Sequence, residues 1–285
     1  MKTLLAIINE PKDSKDFIQS VAEMGIALNT NVHLLYAEST VNYPMGITGS
    51  SGVAVAQAQQ STVAHVGTVK KILAKHVEDV KSKLSSDIFI DFSANLGETY
   101  QIVRDLVSEN KVHMVILEEE KVESFWTHSL DNLNIIENLD CPVWIVPPSW
   151  YFKPFAEIIY ATDYKEEDIT GLKRLIELVR SFSPGINALH ITNSVDFEEK
   201  VKKAGFLEVL KSQVTYNQLT VRALSDNSNS DVTELLNGYA KLVKADLIVV
   251  TKENKNFFER IFKTDPAMKI IKSTSLPVLV YHEKA

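Results

Sequence analysis

Four short apolar segments recur in the same order in the two halves of the chain, and this duplication limits the fold more than any other feature. Leu4-Leu5-Ala6-Ile7-Ile8-Asn9 aligns with Ile158-Ile159-Tyr160-Ala161-Thr162-Asp163. Val32-His33-Leu34-Leu35-Tyr36 aligns with Asn187-Ala188-Leu189-His190-Ile191. Lys111 to Leu117 aligns with Lys244 to Val250, and Cys141 to Val146 aligns with Leu276 to Tyr281. Each segment is apolar at successive positions and rich in branched residues. That is the pattern of a parallel strand covered on both faces. Between the halves runs Pro147-Pro148-Ser149-Trp150-Tyr151-Phe152-Lys153-Pro154. Prolines at both ends oppose a helix and favour an extended connector. The expected domains are therefore 1–150 and 151–285.

Helical periodicity fills the intervals. Asp13 or Ser14 can cap a helix carrying Phe17, Val21, Met24 and Leu28 on one face. A long helix ends near Leu84, with Val66, Leu73 and Val80 on one seven-residue repeat and Val63, Val77 and Leu84 on another. Further patterns run through Ile102, Val103, Leu106 and Val107, through Leu172, Leu175, Ile176 and Val179, and through Val232, Leu235, Leu236 and Leu242. Alternating segments, 88–92 and 214–224, precede the third helix of each half. Alternation of this kind gives an α/β fold: two tandem, doubly wound, Rossmann-like domains, each with a five-stranded parallel sheet.

The composition agrees and excludes other classes. The chain has 285 residues, 45% hydrophobic and 24% charged, enough to bury a core in each half. Its formal charge of −7 makes nucleic acid a poor partner, because such binding neutralises phosphates. The charge is uneven: 11 Lys and Arg against 19 Asp and Glu in 1–150, and 19 against 18 in 151–285. No apolar run reaches the length of a membrane span, and the N-terminal segment reads as a first strand rather than a signal peptide. With a single cysteine, Cys141, no internal disulfide can form, and a cytoplasmic location is expected.

Open α/β sheets bind ligands at the carboxyl ends of their strands. That rule points to Asn9 and Asp163. A carboxylate at 163 can accept from a ribose hydroxyl or an adenine amine, or it can cap the helix beginning near Glu166. For Asn9 the structural role is preferred. The Gly-rich stretch Gly46 to Gly52 lacks Walker spacing and reads as a surface loop. The segments after the fourth strands, from Leu117 and from Thr251, begin without the glycines a phosphate cradle uses. Glu118-Glu119-Glu120 would repel phosphate, whereas Lys252, Lys255 and Thr264 are less hostile. His65 and His76 read as solvated helix residues, His113 and His190 as satisfied core residues, and Cys141 as a small buried residue. Phe125-Trp126 and Phe257-Phe258 read as packing aromatics. No metal set and no catalytic triad stands out.

Tyr160-Ala161-Thr162-Asp163-Tyr164, Gly97-Glu98 before a helix, Lys244-Ala245-Asp246-Leu247-Ile248-Val249-Val250, Cys141-Pro142-Val143 and Leu276-Pro277-Val278-Leu279-Val280 resemble the universal stress protein family in its tandem form. The resemblance spans essentially the whole chain. It implies the adenine nucleotide α-hydrolase-like fold and domain pairing through the last strands within one chain, with a homodimer open. Many members bind ATP through a first-strand Asp and a G-x-x-G, then G-Ser/Thr motif. Here Glu118 and Lys121, then Thr251 and Asn254, stand where the first glycines belong. Ser129-Leu130 and Thr264-Asp265 stand where G-Ser/Thr belongs. The resemblance therefore implies a non-enzymatic cytoplasmic stress protein acting through protein partners, without a resident cofactor. The alternatives are an ATP or AMP sensor with one site in the C-terminal domain, at Asp163 with Thr251 and Thr264, and a weak ATP hydrolase.

Overall fold

The structure, a computed structural model, describes residues 2–39, 51–119, 128–192, 194, 196–225, 232–252 and 276–282. The contacts divide the chain into two compact units, Met1–Leu139 with Ser149–Phe152, and Asp140–Pro148 with Lys153–Ala285.

The first unit runs β1 (Thr3–Ile7), α1 (Lys15–Ala27), β2 (Asn31–Glu38), α2 (Ser51–Lys81), β3 (Ile90–Leu96), α3 (Thr99–Ser108), β4 (Met114–Glu118) and α4 (His128–Asn138). Its strands lie in the order β3-β2-β1-β4, and the β1–β2, β1–β4 and β2–β3 pairings are parallel. Leu4, Leu5, Leu34, Leu35, Val115 and Ile116 are all buried, as two-sided cover of these strands demands. The α1 face holds Phe17, Val21 and Met24, all buried. On α2, Val66, Leu73, Val77 and Val80 are buried but Val63 is exposed, so the apolar stripe is narrower than the sequence suggests. Ser14 does occupy the N-cap of α1. Its hydroxyl, however, donates back to the Pro11 carbonyl (2.9 Å) instead of accepting from the helix.

The second unit contains β5 (Val143–Val146), β6 (Glu157–Ala161), α5 (Glu166–Val179), β7 (Gly185–Thr192), α6 (Phe197–Gln213), β8 (Leu219–Ser225), α7 (Val232–Val243), β9 (Leu247–Thr251) and β10 (Val278–Tyr281). The order is β5-β10-β9-β6-β7-β8. Five strands are parallel, and β5 joins β10 antiparallel, with Trp144 opposite Leu279. Strand β5 ends the first copy in sequence yet belongs with the second compact unit. Sequence periodicity cannot reveal this, because it sees a strand but not its neighbour. Trp144 is fully buried and stacks on Phe155, whose ring meets Phe182 edge-on. On α7, Leu236 is buried, while Leu242 is exposed despite its place in the expected stripe.

Hydrogen bonds fix how the copies correspond. The Ile8 N–H donates to the Leu35 carbonyl (2.8 Å), and the Thr162 N–H donates to the Leu189 carbonyl (3.0 Å). Ile8 and Thr162 are equivalent, so Leu35 matches Leu189 and Tyr36 matches His190. The sequence alignment of the second strands is thus shifted by one residue. Apolar runs on both sides hide such a shift, yet it moves every side chain to the other face. The fourth strands keep their alignment. His113 Nδ1 accepts the Thr3 N–H (3.3 Å), and Asp246 Oδ2 accepts the N–H groups of Ala156 (2.8 Å) and Glu157 (3.1 Å) at the equivalent place.

Candidate functional site

In the second unit, Asp163 lies in the loop between β6 and α5. Tyr164 follows in the left-handed region at φ 60°, which non-glycine residues seldom occupy. The Tyr164 ring packs on His190 (centroids 4.6 Å) and on Phe206 of α6 (5.2 Å). His190 Nδ1 donates to the Thr162 carbonyl (2.7 Å) and lies 3.5 Å from Asp163 Oδ1. On its far side Nε2 lies 3.5 Å from Glu199 Oε1, carried by the first turn of α6. The side chains of Asp163, His190 and Glu199 are 11%, 15% and 9% exposed. Burial, then the charge of Glu199, pushes the Tyr164 hydroxyl far above its ordinary pKa, so it stays protonated. Beside Asp163 thus stand the protein's own His190 and, packed on that ring, Tyr164.

Asp163 does not cap α5. That task belongs to Asp168, three residues into the helix. Its Oδ2 accepts from the Thr162 hydroxyl (2.8 Å) and from the N–H groups of Asp163 (2.9 Å) and Lys165 (3.1 Å). Thr251 Oγ1 stands 3.5 Å from Asp168 Oδ1. Burial raises the Asp168 pKa despite these donors. Asp163 and Thr251 are thereby brought around one carboxylate that sequence reasoning missed. Thr264 lies outside the described residues, as do Lys121, Asn254, Lys255, Phe125-Trp126 and Phe257-Phe258. Thr251 also lines a cavity of about 360 Å³ with Glu166, Glu167, Arg174 and His282.

The equivalent place in the first unit is open. A cavity of about 630 Å³ lies at the carboxyl ends of β1 and β2, closed on one side by α2. Asn9, Glu10, Lys12, Tyr36, Glu38 and His65 supply its polar wall, and Val69 and Ile72 are among its apolar residues. This is where ligands enter open α/β sheets. The Tyr36 hydroxyl donates to Glu38 Oε2, and His65 Nε2 sits 3.4 Å from that hydroxyl and 3.7 Å from the carboxylate. Burial, the bond to Glu38 and the charges of Glu38 and Glu10 hold the Tyr36 pKa well above its ordinary value. Glu118, aligned with a glycine of the phosphate motif, accepts the Ser149 N–H (2.9 Å) on its side chain.

The histidines divide. His65 is exposed on the cavity wall. His76 is half-buried, with Nε2 on the Pro11 carbonyl (3.1 Å), which corrects its reading as solvated. His113 meets the Thr3 N–H of β1 and His190 the Thr162 carbonyl just past β6, so both have partners, though each is only partly buried. Burial pushes the Cys141 thiol up to about 12, consistent with an inert packing residue. Among the described residues no group of His, Cys, Asp and Glu could hold a metal ion, and no helix is long and apolar enough to cross a membrane.

No protein-family model and no curated protein matches the chain. Solved structures do. A universal stress protein from Archaeoglobus fulgidus DSM 4304 superposes with a TM-score of 0.66 at 11% identity, over 98% of this chain and 96% of that one. The functionally unknown protein PA1789 from Pseudomonas aeruginosa PAO1 gives 0.59 at 13% identity, over 100% and 93%. The cytoplasmic domain of a prokaryotic cation chloride cotransporter gives 0.54 at 11% identity, over 99% and 96%. At these identities the fold is what is shared, and a fold hosts several functions.

Proposed function

We propose, from the premise that the chain carries the universal-stress-protein fold twice, that it works by binding rather than by turnover and takes its ligand in the first unit. The observation that carries this is the contrast between equivalent places. Beside Asn9 the crevice is an open cavity of about 630 Å³, whereas beside Asp163 stands His190, 3.5 Å from the carboxylate, with Tyr164 packed on its ring. A ligand at Asp163 would have to compete with these two partly buried side chains for the space beside the carboxylate. The ATP or AMP sensor with its site in the C-terminal domain is the weaker reading for that reason. A weak ATP hydrolase would also need a phosphate cradle, and Glu118 is turned to Ser149 instead.

Action through protein partners, a second copy of the chain included, belongs to the same proposal. A ligand that binds only the folded protein raises its melting temperature. Melting of the full chain with ATP and with AMP, alongside a phosphate-release assay, tests the reading. The expected result is no phosphate release, and no nucleotide shift that Asp163→Ala removes. A shift that this variant abolishes would reinstate the C-terminal nucleotide site.

A further inference from the structure

The wall of the first-unit cavity combines a fixed carboxylate, an excess of negative charge and an apolar surface. Glu38 is half-buried, with 30% of its side chain exposed, and the Tyr36 hydroxyl holds its Oε2 in place. Glu10 adds a second carboxylate, and among the described lining residues Lys12 is the single lysine or arginine. Among the described residues the group within ion-pair reach of Glu38 is His65, at 3.7 Å, an ion pair only when that imidazole is protonated. Ile72, partly exposed on α2 above the buried Val69, offers an apolar wall next to this charge.

We propose that this cavity binds a small organic cation, a primary amine of polyamine size, with Glu38 as its anchor. The inference rests on the first unit being the ligand-binding unit. An ammonium group brings three donors and no acceptor, and the Glu38 carboxylate is acceptor-only once ionised. Tyr36 has already paid the entropy of fixing one oxygen, so docking the amine costs less ordering than at a mobile side chain. The methylenes of the amine lie along Ile72, the partly exposed apolar residue of this α2 face, and leave water there. A phosphorylated ligand would bring its charge against Glu38 and Glu10, and like charges brought together oppose binding. Thus the charge that disfavours ATP is the charge that selects a cation.

Isothermal titration of the full chain with spermidine, and separately with AMP, tests this. The expected result is saturable binding of spermidine that weakens as salt rises. Glu38→Gln should weaken it by about tenfold or more, the scale of a lost charge-assisted hydrogen bond. Tyr36→Phe should weaken it less, and Asp105→Asn, an exposed carboxylate of α3, should leave it unchanged. Spermidine that fails to bind, or that binds Glu38→Gln as well as the unaltered chain, overturns the proposal. If AMP binds instead and Tyr36→Phe weakens it, the amine falls while the first-unit site stands. If neither ligand binds, both fall.

Discussion

Tyr36 and His190 stand at the same position of the two copies, each one residue beyond the leucine whose carbonyl closes the end of the first strand. In the first copy the tyrosine directs Glu38 along the wall of an open cavity. In the second the histidine reaches the Thr162 carbonyl and lies between Asp163 and Glu199. One substitution at one register position thus accompanies two different fates of a duplicated crevice. In the second copy the equivalent residue makes internal contacts instead.

If Asp163 is structural, its loss should register as stability. Asp163→Ala removes the carboxylate beside His190 in a site where the acid is 11% exposed. The expected cost is about 1–3 kcal/mol, the range for a buried polar group losing its partner. A urea melt measures it. An unchanged midpoint would contradict the structural role.

Asp168 should matter more. Its Oδ2 serves a hydroxyl and two backbone N–H groups in a residue only 2% exposed. Asp168→Ala strands all three donors and should cost about 3–5 kcal/mol. Asp168→Asn keeps an acceptor oxygen and should cost less. The order of the two denaturation midpoints is the readout.

Gly171 sets two effects against each other. Replacing glycine with alanine inside a helix gains about 1 kcal/mol. Here the new Cβ would run into the Tyr160 hydroxyl and lie 3.2 Å from Thr251 Cγ2, and Tyr160 is fully buried. Overpacking of this kind costs about 1–3 kcal/mol. Gly171→Ala should therefore come out net destabilising, and less so in a Tyr160→Phe background. A thermal melt of both variants decides it.

Asp246 supplies an acid-sensitive clamp at the start of β6. Burial pushes its pKa up, but the Lys153 ammonium (2.9 Å) and the N–H groups of Ala156 and Glu157 outweigh burial and hold it below the ordinary carboxylate value. The folded state therefore binds this proton less readily than the unfolded chain. Its contribution is present above the unfolded value of about 3.9 and is lost as pH falls through the lower folded one. Asp246→Asn should flatten the acid limb of a stability–pH curve. An acid limb identical to that of the unaltered chain would refute the clamp.

The strands were legible because two-sided burial leaves an unmistakable run of branched residues, as in Leu4 to Ile8 and Leu247 to Val250. The helices were legible through residues such as Leu172, Leu175 and Val179. The one-residue register of β2 against β7 was not, since Leu34 and Leu35 are equally apolar and only a hydrogen bond separates them. Asp168 was hidden because Glu166-Glu167-Asp168 resembles a solvated acidic first turn, where carboxylates favour the helix dipole. The cavity was hidden because Asn9, Tyr36, His65 and Ile72 are distant in sequence. The short spacing from Tyr36 to Glu38 on one strand face was the one local signal.

Hydrogen exchange of the full chain, with and without saturating spermidine, tests most directly whether the first unit alone receives ligand. The account predicts slower exchange in segments 8–12, 36–39 and 65–72, and no change in 162–168 or 190–206. Protection in the second set, or none in the first, would contradict it.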